Sequence, residues 1–197
     1  MPRAGLTRDV VVAQAARVAD EVGFGNLTLA EVAARLGVRL PSLYKHVAGL
    51  DALRRHLAAA AGRELGAALA AASVGRSGVD ALHAMAEAYR EFATRRPGAY
   101  ASTLRAPDPA DAEWVAVATG VLKVVLDVLA GFGLRGDDAI DAVRGLRALM
   151  HGFVAIEAAG GYQLPQDIDR SYRRLVDSFG QSLLSWAADS VSAAGIK

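Results

Sequence analysis

Apolar residues recur at spacings of three and four along most of the chain, and no stretch alternates convincingly at period two. That pattern predicts helices and no sheet. The first helix spans about 8–23, apolar at Val11, Ala15, Val18, Ala19 and Val22, with Thr7 as its cap and Gly23 and Gly25 as its stop. Thr28 opens a second, with Glu31 three residues on in the pattern of a capping box, and Gly37 closes it. Residues 40–46 form a third, short helix with Pro41 near its start, where a missing N–H does no harm. A longer helix begins at Asp51 and ends near residue 72, and residues 74–78 make a turn. Further helices follow at about 79–95, 97–104, 109–131, 137–160 and 167–188, with breaks at Pro107–Pro109, Gly131–Gly136 and Gly160 through Pro165.

Composition supports this reading: 42 alanines stand against five Phe, five Tyr and two Trp, and alanine is the best helix former and a poor strand residue. The expected fold class is all-α. With 197 residues the chain makes one domain or two small ones, and 53% apolar residues exclude wholesale disorder. The absence of cysteine excludes a disulfide scaffold, a thiolate zinc site and a cysteine nucleophile. Charge is unevenly spread. Residues 1–56 hold eight Lys and Arg against five Asp and Glu, whereas residues 57–197 hold 14 against 16, so a net +3 faces a net −2. His46 and His56 join the basic part, which points to an anionic partner for it. Residues 114–134 are apolar enough to resemble a membrane span, but Lys123 and Asp127 at the centre would be costly in lipid and share one helical face. Asp9, Gln14 and Arg17 interrupt any leader-like stretch, so no membrane partner and a cytoplasmic location are expected.

Residues 28–47, TLAEVAARLGVRLPSLYKHV, place two short helices around a tight turn at Gly37, the arrangement of a helix-turn-helix. Ala33 leaves room for the second helix, and Gly37 tolerates the left-handed backbone of the turn. Val32, Leu36, Val38 and Leu43 are spaced to share a core. Ser42, Tyr44, Lys45 and His46 then face outward, a set of donors suited to phosphates and base edges.

With those residues the first 55 or so positions resemble the DNA-binding domain of the TetR (tetracycline repressor) family, through T-L-x-x-[VI]-A-x-x-L-G-V followed by L-Y-x-H-V. The resemblance implies that Thr28 meets phosphate and that Pro41, Ser42, Tyr44 and Lys45 reach the major groove. Tyr44 and His46 also contact the DNA backbone in such proteins, and Arg39 is counted with the DNA-binding set. Many members carry a phosphate-binding lysine where Leu50 stands here, which leaves Arg54 or Arg55 to replace it. Residues 151–162, with Trp114, are similar to a TetR subgroup whose regulatory domain carries a Trp and a His-Gly pair. The family reading divides the chain into a DNA-binding domain over 1–50 and a ligand-binding and dimerisation domain over 51–197.

Gly145, Ala148, Gly152, Ala155 and Ala159 form a smooth stripe on one helix. Ile168, Tyr172, Leu175, Phe179, Leu183 and Trp186 form a bulky stripe on the last. These stripes either pack on each other within one chain or build a four-helix interface in a homodimer, and Gly145, Ala148, Gly152, Ala155, Tyr172, Phe179 and Leu183 are the expected interface residues. Tyr89, Phe92, Trp114, Thr119 and His151 are candidate ligand-binding residues, though each aromatic and His151 fits a core position equally well.

Enzyme chemistry finds little footing. No H-E-x-x-H, G-x-S-x-G or phosphate-cradling glycine loop occurs, and His83 with Glu87 makes no metal site without further carboxylates. The expectation is a non-enzyme with no cofactor and no metal: a repressor that binds a double-stranded DNA operator as a homodimer and is released by a small, mostly apolar effector. A helical ligand carrier or enzyme that happens to contain a helix-turn-helix is the alternative.

Overall fold

The computed structural model describes residues 5–194, with side chains to residue 187. Among them the regular structure is helical, with no strand. The helices are α1 (Arg8–Val22), α2 (Leu29–Leu36), α3 (Leu40–Leu43), α4 (Leu50–Ser73), α5 (Gly78–Arg95), α6 (Pro97–Ser102), α7 (Ala112–Ala130), α8 (Gly136–Ala158) and α9 (Ile168–Ala194). None of these is long and apolar enough to cross a membrane.

Local chemistry explains where the observed ends differ from the expected ones. α3 stops after four residues because the N–H groups of His46 and Val47 both close on the Leu43 carbonyl, at 2.8 and 3.0 Å, leaving Tyr44–His46 as turns. α7 starts at Ala112 rather than 109 because Asp111 caps it, its Oδ1 accepting from the Trp114 amide at 3.0 Å. A single 3-10 turn over Phe24–Asn26, unforeseen in the pattern, links α1 to Leu27 and Thr28.

Contacts divide the chain into two compact units, Met1–Leu65 with Arg95–Thr119, and Gly66–Thr94 with Gly120–Lys197. The chain therefore passes between them after Leu65, after Thr94 and after Thr119, and both α4 and α7 contribute to each unit. The sequence reading placed its single boundary at 50/51, at the head of α4.

In the first unit Val11, Ala15, Val18 and Ala19 of α1 close on Leu27, Val32, Ala33, Leu43, Val47, Leu53 and Leu57, all buried. A Cβ added at Gly98 on α6 would overlap the backbone of Ala19 and Asp20, so only glycine lets α6 lie this close to α1. A smaller cluster sets Trp114 against Ala58 and Ala59, and the indole covers Gly62, where a Cβ would strike its ring.

In the second unit α5 buries Leu82, Met85, Tyr89 and Phe92, while α8 buries Leu146, Met150, Phe153 and Val154. Tyr172 of α9 is fully buried and donates its hydroxyl to the Ala86 carbonyl at 2.8 Å. Burial pushes its phenol well above the usual tyrosine range. Arg90 of α5 joins all three helices. It donates to Glu157 and to Asp169, the latter at 2.8 Å, and lies 5.1 Å from the Tyr172 ring centre and 5.7 Å from that of Phe153. The hydrogen bonds to Glu157, against the opposing effect of burial, hold its proton more tightly than an ordinary guanidinium does.

Candidate nucleic-acid interface

Thr28 stands at the N-cap of α2 in extended conformation and accepts from the Glu31 amide at 3.2 Å, one half of the capping box. The Glu31 carboxylate in turn accepts from Arg35 Nε at 2.9 Å, and the same guanidinium reaches Glu21 of α1 at 2.7 Å. Hydrogen bonding and charge from Glu21 raise the pKa of Arg35. α2 is thus fixed to α1 by a polar bridge as well as by the core.

Gly37 ends α2 with φ +66°, a left-handed residue where a side chain would be strained, and Val38 N–H reaches back to the Ala33 carbonyl at 3.0 Å. Ala33 is buried at the helix crossing and Leu43 anchors α3 from beneath, while Leu36 and Val38 pack at the edge of the same core. With Leu43 inward, the rest of α3 and its following turn face solvent. Arg39, Pro41, Tyr44 and Lys45 are exposed, as is Thr28, and Ser42 and His46 are half-buried. Tyr44 is 56% exposed, unusual for an aromatic residue beside so complete a core. Arg39 and Lys45 hold no ion pair with the described residues.

The structure separates the two arginines that sequence left equivalent. Arg54 turns inward, 5.6 Å from the Phe24 ring centre, with Nη2 3.4 Å from the Gly25 carbonyl and a buried Nε that has no hydrogen-bond partner. Arg55 keeps 52% of its side chain exposed, 3.7 Å from Asp111. Leu50 packs against the core.

Two families account for most of this chain. Residues 11–57 match bacterial regulatory proteins of the tetR family, and residues 82–179 match the tetracyclin repressor-like C-terminal domain. The HTH-type transcriptional regulator YobS of Bacillus subtilis (strain 168) is 34% identical over 184 residues, covering 93% of this chain and 95% of that protein. The chain belongs to the TetR family. A second relative, the HTH-type transcriptional regulator Rv0681 of Mycobacterium tuberculosis (strain ATCC 25618 / H37Rv), is 35% identical over 84% of this chain and 75% of its own length. Solved structures share the fold. A protein of unknown function from Rhodococcus sp. RHA1 superposes with a TM-score of 0.76 at 24% identity, covering 93% of this chain and 98% of that one. The TetR-Q116A protein of Acinetobacter baumannii AYE, in complex with minocycline, gives 0.72 at 21% identity, covering 93% and 99%. The protein is therefore a TetR-family transcriptional regulator with an N-terminal helix-turn-helix and a C-terminal helical domain.

The remaining sequence-derived residues are more scattered. Tyr89, Phe92 and His151 lie in the second unit, whereas Trp114 and Thr119 lie in the first. Tyr89 and Phe92 are buried in the α5 core, Trp114 covers Gly62, and Thr119 is exposed with its hydroxyl on the Val115 carbonyl. His151 is half-buried on α8. His83 lies 2.6 Å from Asp177 of α9, and pairs with it rather than with Glu87.

The two stripes do pack within one chain. A Cβ at Gly145 would come within 3.1 Å of the Phe179 ring, and Tyr172 and Leu183 are fully buried, so neither has surface left for a second copy. Of the residues expected at an interface, Tyr172 and Leu183 instead fill their own unit. Ala148 and Ala155 are exposed, and Gly152 has nothing within 4 Å of an added Cβ.

Sequence reasoning missed one polar cluster of the first unit. Asp20, at the end of α1, accepts from Arg96 Nε at 2.7 Å and from the amides of Gly98 and Ala99 at 2.9 Å each. Arg96 also reaches both carboxylate oxygens of Glu64 on α4, at 2.7 and 2.8 Å. Burial alone would lower the pKa of Arg96, but Asp20 and Glu64 together outweigh it and raise it. No local motif announces this cluster, because Asp20 lies on α1, Glu64 on α4 and Arg96 at the N-cap of α6.

Proposed function

We propose that this regulator is a homodimeric repressor that reads an inverted-repeat operator through α3 and is released by a small, largely apolar molecule. The reading rests on one observation above all: Leu43 anchors α3 while the side chains of Arg39, Tyr44 and Lys45 are exposed and those of Ser42 and His46 half-exposed, none with an ion pair or side-chain hydrogen bond among the described residues. Lys45 and Ser42 supply base or near-base contacts. Thr28, Tyr44 and His46 position the DNA backbone, and Arg55, rather than the inward Arg54, replaces the phosphate contact missing at Leu50. The protein works by binding and not by catalysis. It belongs with the subgroup marked by a Trp and a His-Gly pair, through Trp114 and His151-Gly152.

The dimer uses the outer face of α8, where Ala148, Gly152, Ala155 and Ile156, with Ala159 at its C-cap, leave a smooth surface. Leu175 and Trp186 of α9 extend that face, 36% and 39% exposed. Between them the hydroxyls of Ser178 and Ser182 are tied to carbonyls one turn back, which leaves these two hydroxyls less dependent on water. The effector sits in the second unit, beside Tyr89, Phe92 and His151, where apolar side chains dominate.

A retardation assay on the DNA upstream of the protein's own gene tests the reading. The expected result is a salt-sensitive complex with a two-fold symmetric footprint. Lys45→Ala should relax preference at one base pair by about 1–3 kcal/mol, whereas Tyr44→Phe should weaken all sequences alike. Gly152→Leu should yield folded monomer in sedimentation, since the monomer has room for the side chain. A footprint without symmetry, or a Lys45→Ala protein that discriminates like the parent, contradicts the proposal.

A further inference from the structure

The first unit contains a groove of about 700 Å³ between α1 and α4, closed at one end by α6 and bordered by Glu113. It is lined by none of the residues assigned to the effector above. Its contacts on α1 run from Arg8 to Glu21, which makes it about 20 Å long at 1.5 Å per residue. Its apolar lining is Val12, Ala13 and Ala16 from α1 and Leu57, Ala60 and Ala61 from α4, four of the six being alanines. That volume lies within the range of organic-ligand sites.

The charges around it decide what it can hold. Five carboxylates line the groove, and each is already engaged. Asp20 and Glu64 hold Arg96, Glu21 holds Arg35, and Glu113 lies 3.2 Å from Arg63 and 3.5 Å from His56. Asp9 lies 3.8 Å from Arg8. Arg17, exposed on α1 along the same wall, has no ion pair with the described residues. The groove thus presents an apolar alanine floor, paired charges along its rim, and one uncommitted guanidinium.

We propose that this groove binds an elongated organic anion, with its carboxylate on Arg17 and its hydrocarbon body on the alanine floor. A guanidinium matches a carboxylate bidentately, and a straight chain matches the length and shallow floor. The site lies wholly within the unit that carries the helix-turn-helix and is separate from the apolar effector site proposed above. A ligand there abuts the Asp20–Arg96–Glu64 cluster that holds α6 on α1.

Calorimetric titration of the full-length protein with sodium decanoate tests the site, with decylammonium chloride as the length-matched cation. Saturable binding of one decanoate per chain is expected, with no saturable binding of decylammonium. Arg17→Gln should weaken decanoate at least tenfold, and Ala13→Leu, at an exposed floor position where the fold has room, should abolish it. Lys45→Ala, on the reading surface, should leave decanoate affinity unchanged. Absence of decanoate binding at millimolar concentration, equal binding of decylammonium, or retention of binding in both groove variants overturns the proposal. Loss in Lys45→Ala assigns the anion to the reading surface and overturns it as well. Retardation of operator DNA by Ala13→Leu, measured alongside, keeps a failure of this site distinguishable from a failure of the repressor reading.

Discussion

α6 and α9 begin with the same chemistry drawn from different places. At α9 the Oδ1 of Asp167, the residue just before the helix, accepts from the amides of Asp169 at 2.8 Å and Arg170 at 3.1 Å. At α6 the Oδ1 of Asp20, 78 residues upstream on α1, accepts from the amides of Gly98 and Ala99, both at 2.9 Å. In each case one carboxylate oxygen satisfies two amides that a helix start leaves without partners, and its charge complements the helix dipole. A cap supplied by the neighbouring residue stabilises only the helix it opens. A cap supplied from another helix also fixes where the two helices lie, so its loss is felt by both. In this protein the borrowed cap falls on α1, a wall of the helix-turn-helix core.

Gly98 gives the largest expected effect. An added Cβ would overlap the Ala19 backbone, which cannot yield as a flexible side chain would, so Gly98→Ala must lift α6 off α1 and off its cap. Overpacking against backbone costs about 3 kcal/mol or more. Thermal unfolding should show a fall of roughly 6–12 °C at about 2–4 °C per kcal/mol for a chain of this size. An unchanged midpoint would mean that the close approach has no energetic consequence.

Asp20 itself gives the next largest effect. Asp20→Ala removes three hydrogen bonds at once and leaves Arg96 with Glu64 alone. Both partners are largely but not wholly buried, with 17% and 27% of their side chains exposed, which places the loss at about 2–3 kcal/mol, below that of a fully buried pair. Asp20→Asn keeps an acceptor for the two amides and removes only the charge, so its denaturation midpoint should fall between those of the parent and Asp20→Ala. Equal losses in the two variants would show that the ion pair, not the cap, carries the contact.

The same contrast marks what could be read from the sequence. Features written in neighbouring residues are present in the structure: Thr7 caps α1, Thr28 caps α2, Gly37 takes the left-handed turn, and Ala33 and Leu43 close the crossing. Features written across distance were not legible. Asp20, at the end of α1, and Arg96, just before Pro97, carry no local signal of their contact. The alanines of the groove read as helix propensity, because spacing alone cannot tell a small residue that admits a neighbour from one that leaves a space. Tyr172 and Leu183, expected at an interface, are buried within their own unit for a related reason. A stripe of bulky side chains fixes which face is apolar, not whether the covering surface comes from the same chain. Arg54 and Arg55 could be told apart only by seeing Phe24 beneath one of them.

The local cap of α9 offers the smallest effect and the one with a definite pH signature. The amide of Arg170 is the leading cause that lowers the Asp167 pKa; desolvation opposes it, and the Asp169 amide and the charges of Arg173 and Arg170 assist it. A carboxylate whose pKa is depressed in the folded state contributes stability that is fully present above its unfolded value, about 3.9, and is lost as pH falls through the folded value. Asp167→Asn keeps the acceptor oxygen but has no proton to gain. The stability difference between parent and Asp167→Asn should therefore be constant above about pH 5 and shrink as the solution is acidified below about pH 4. Because Asp167 is exposed, the difference should also diminish with added salt, unlike that of the Asp20 variants, whose hydrogen bonds are partly shielded. A difference that stays flat from pH 7 to pH 3 would show that the charge on Asp167 contributes nothing to α9, and would reduce the comparison of the two caps to hydrogen bonds alone.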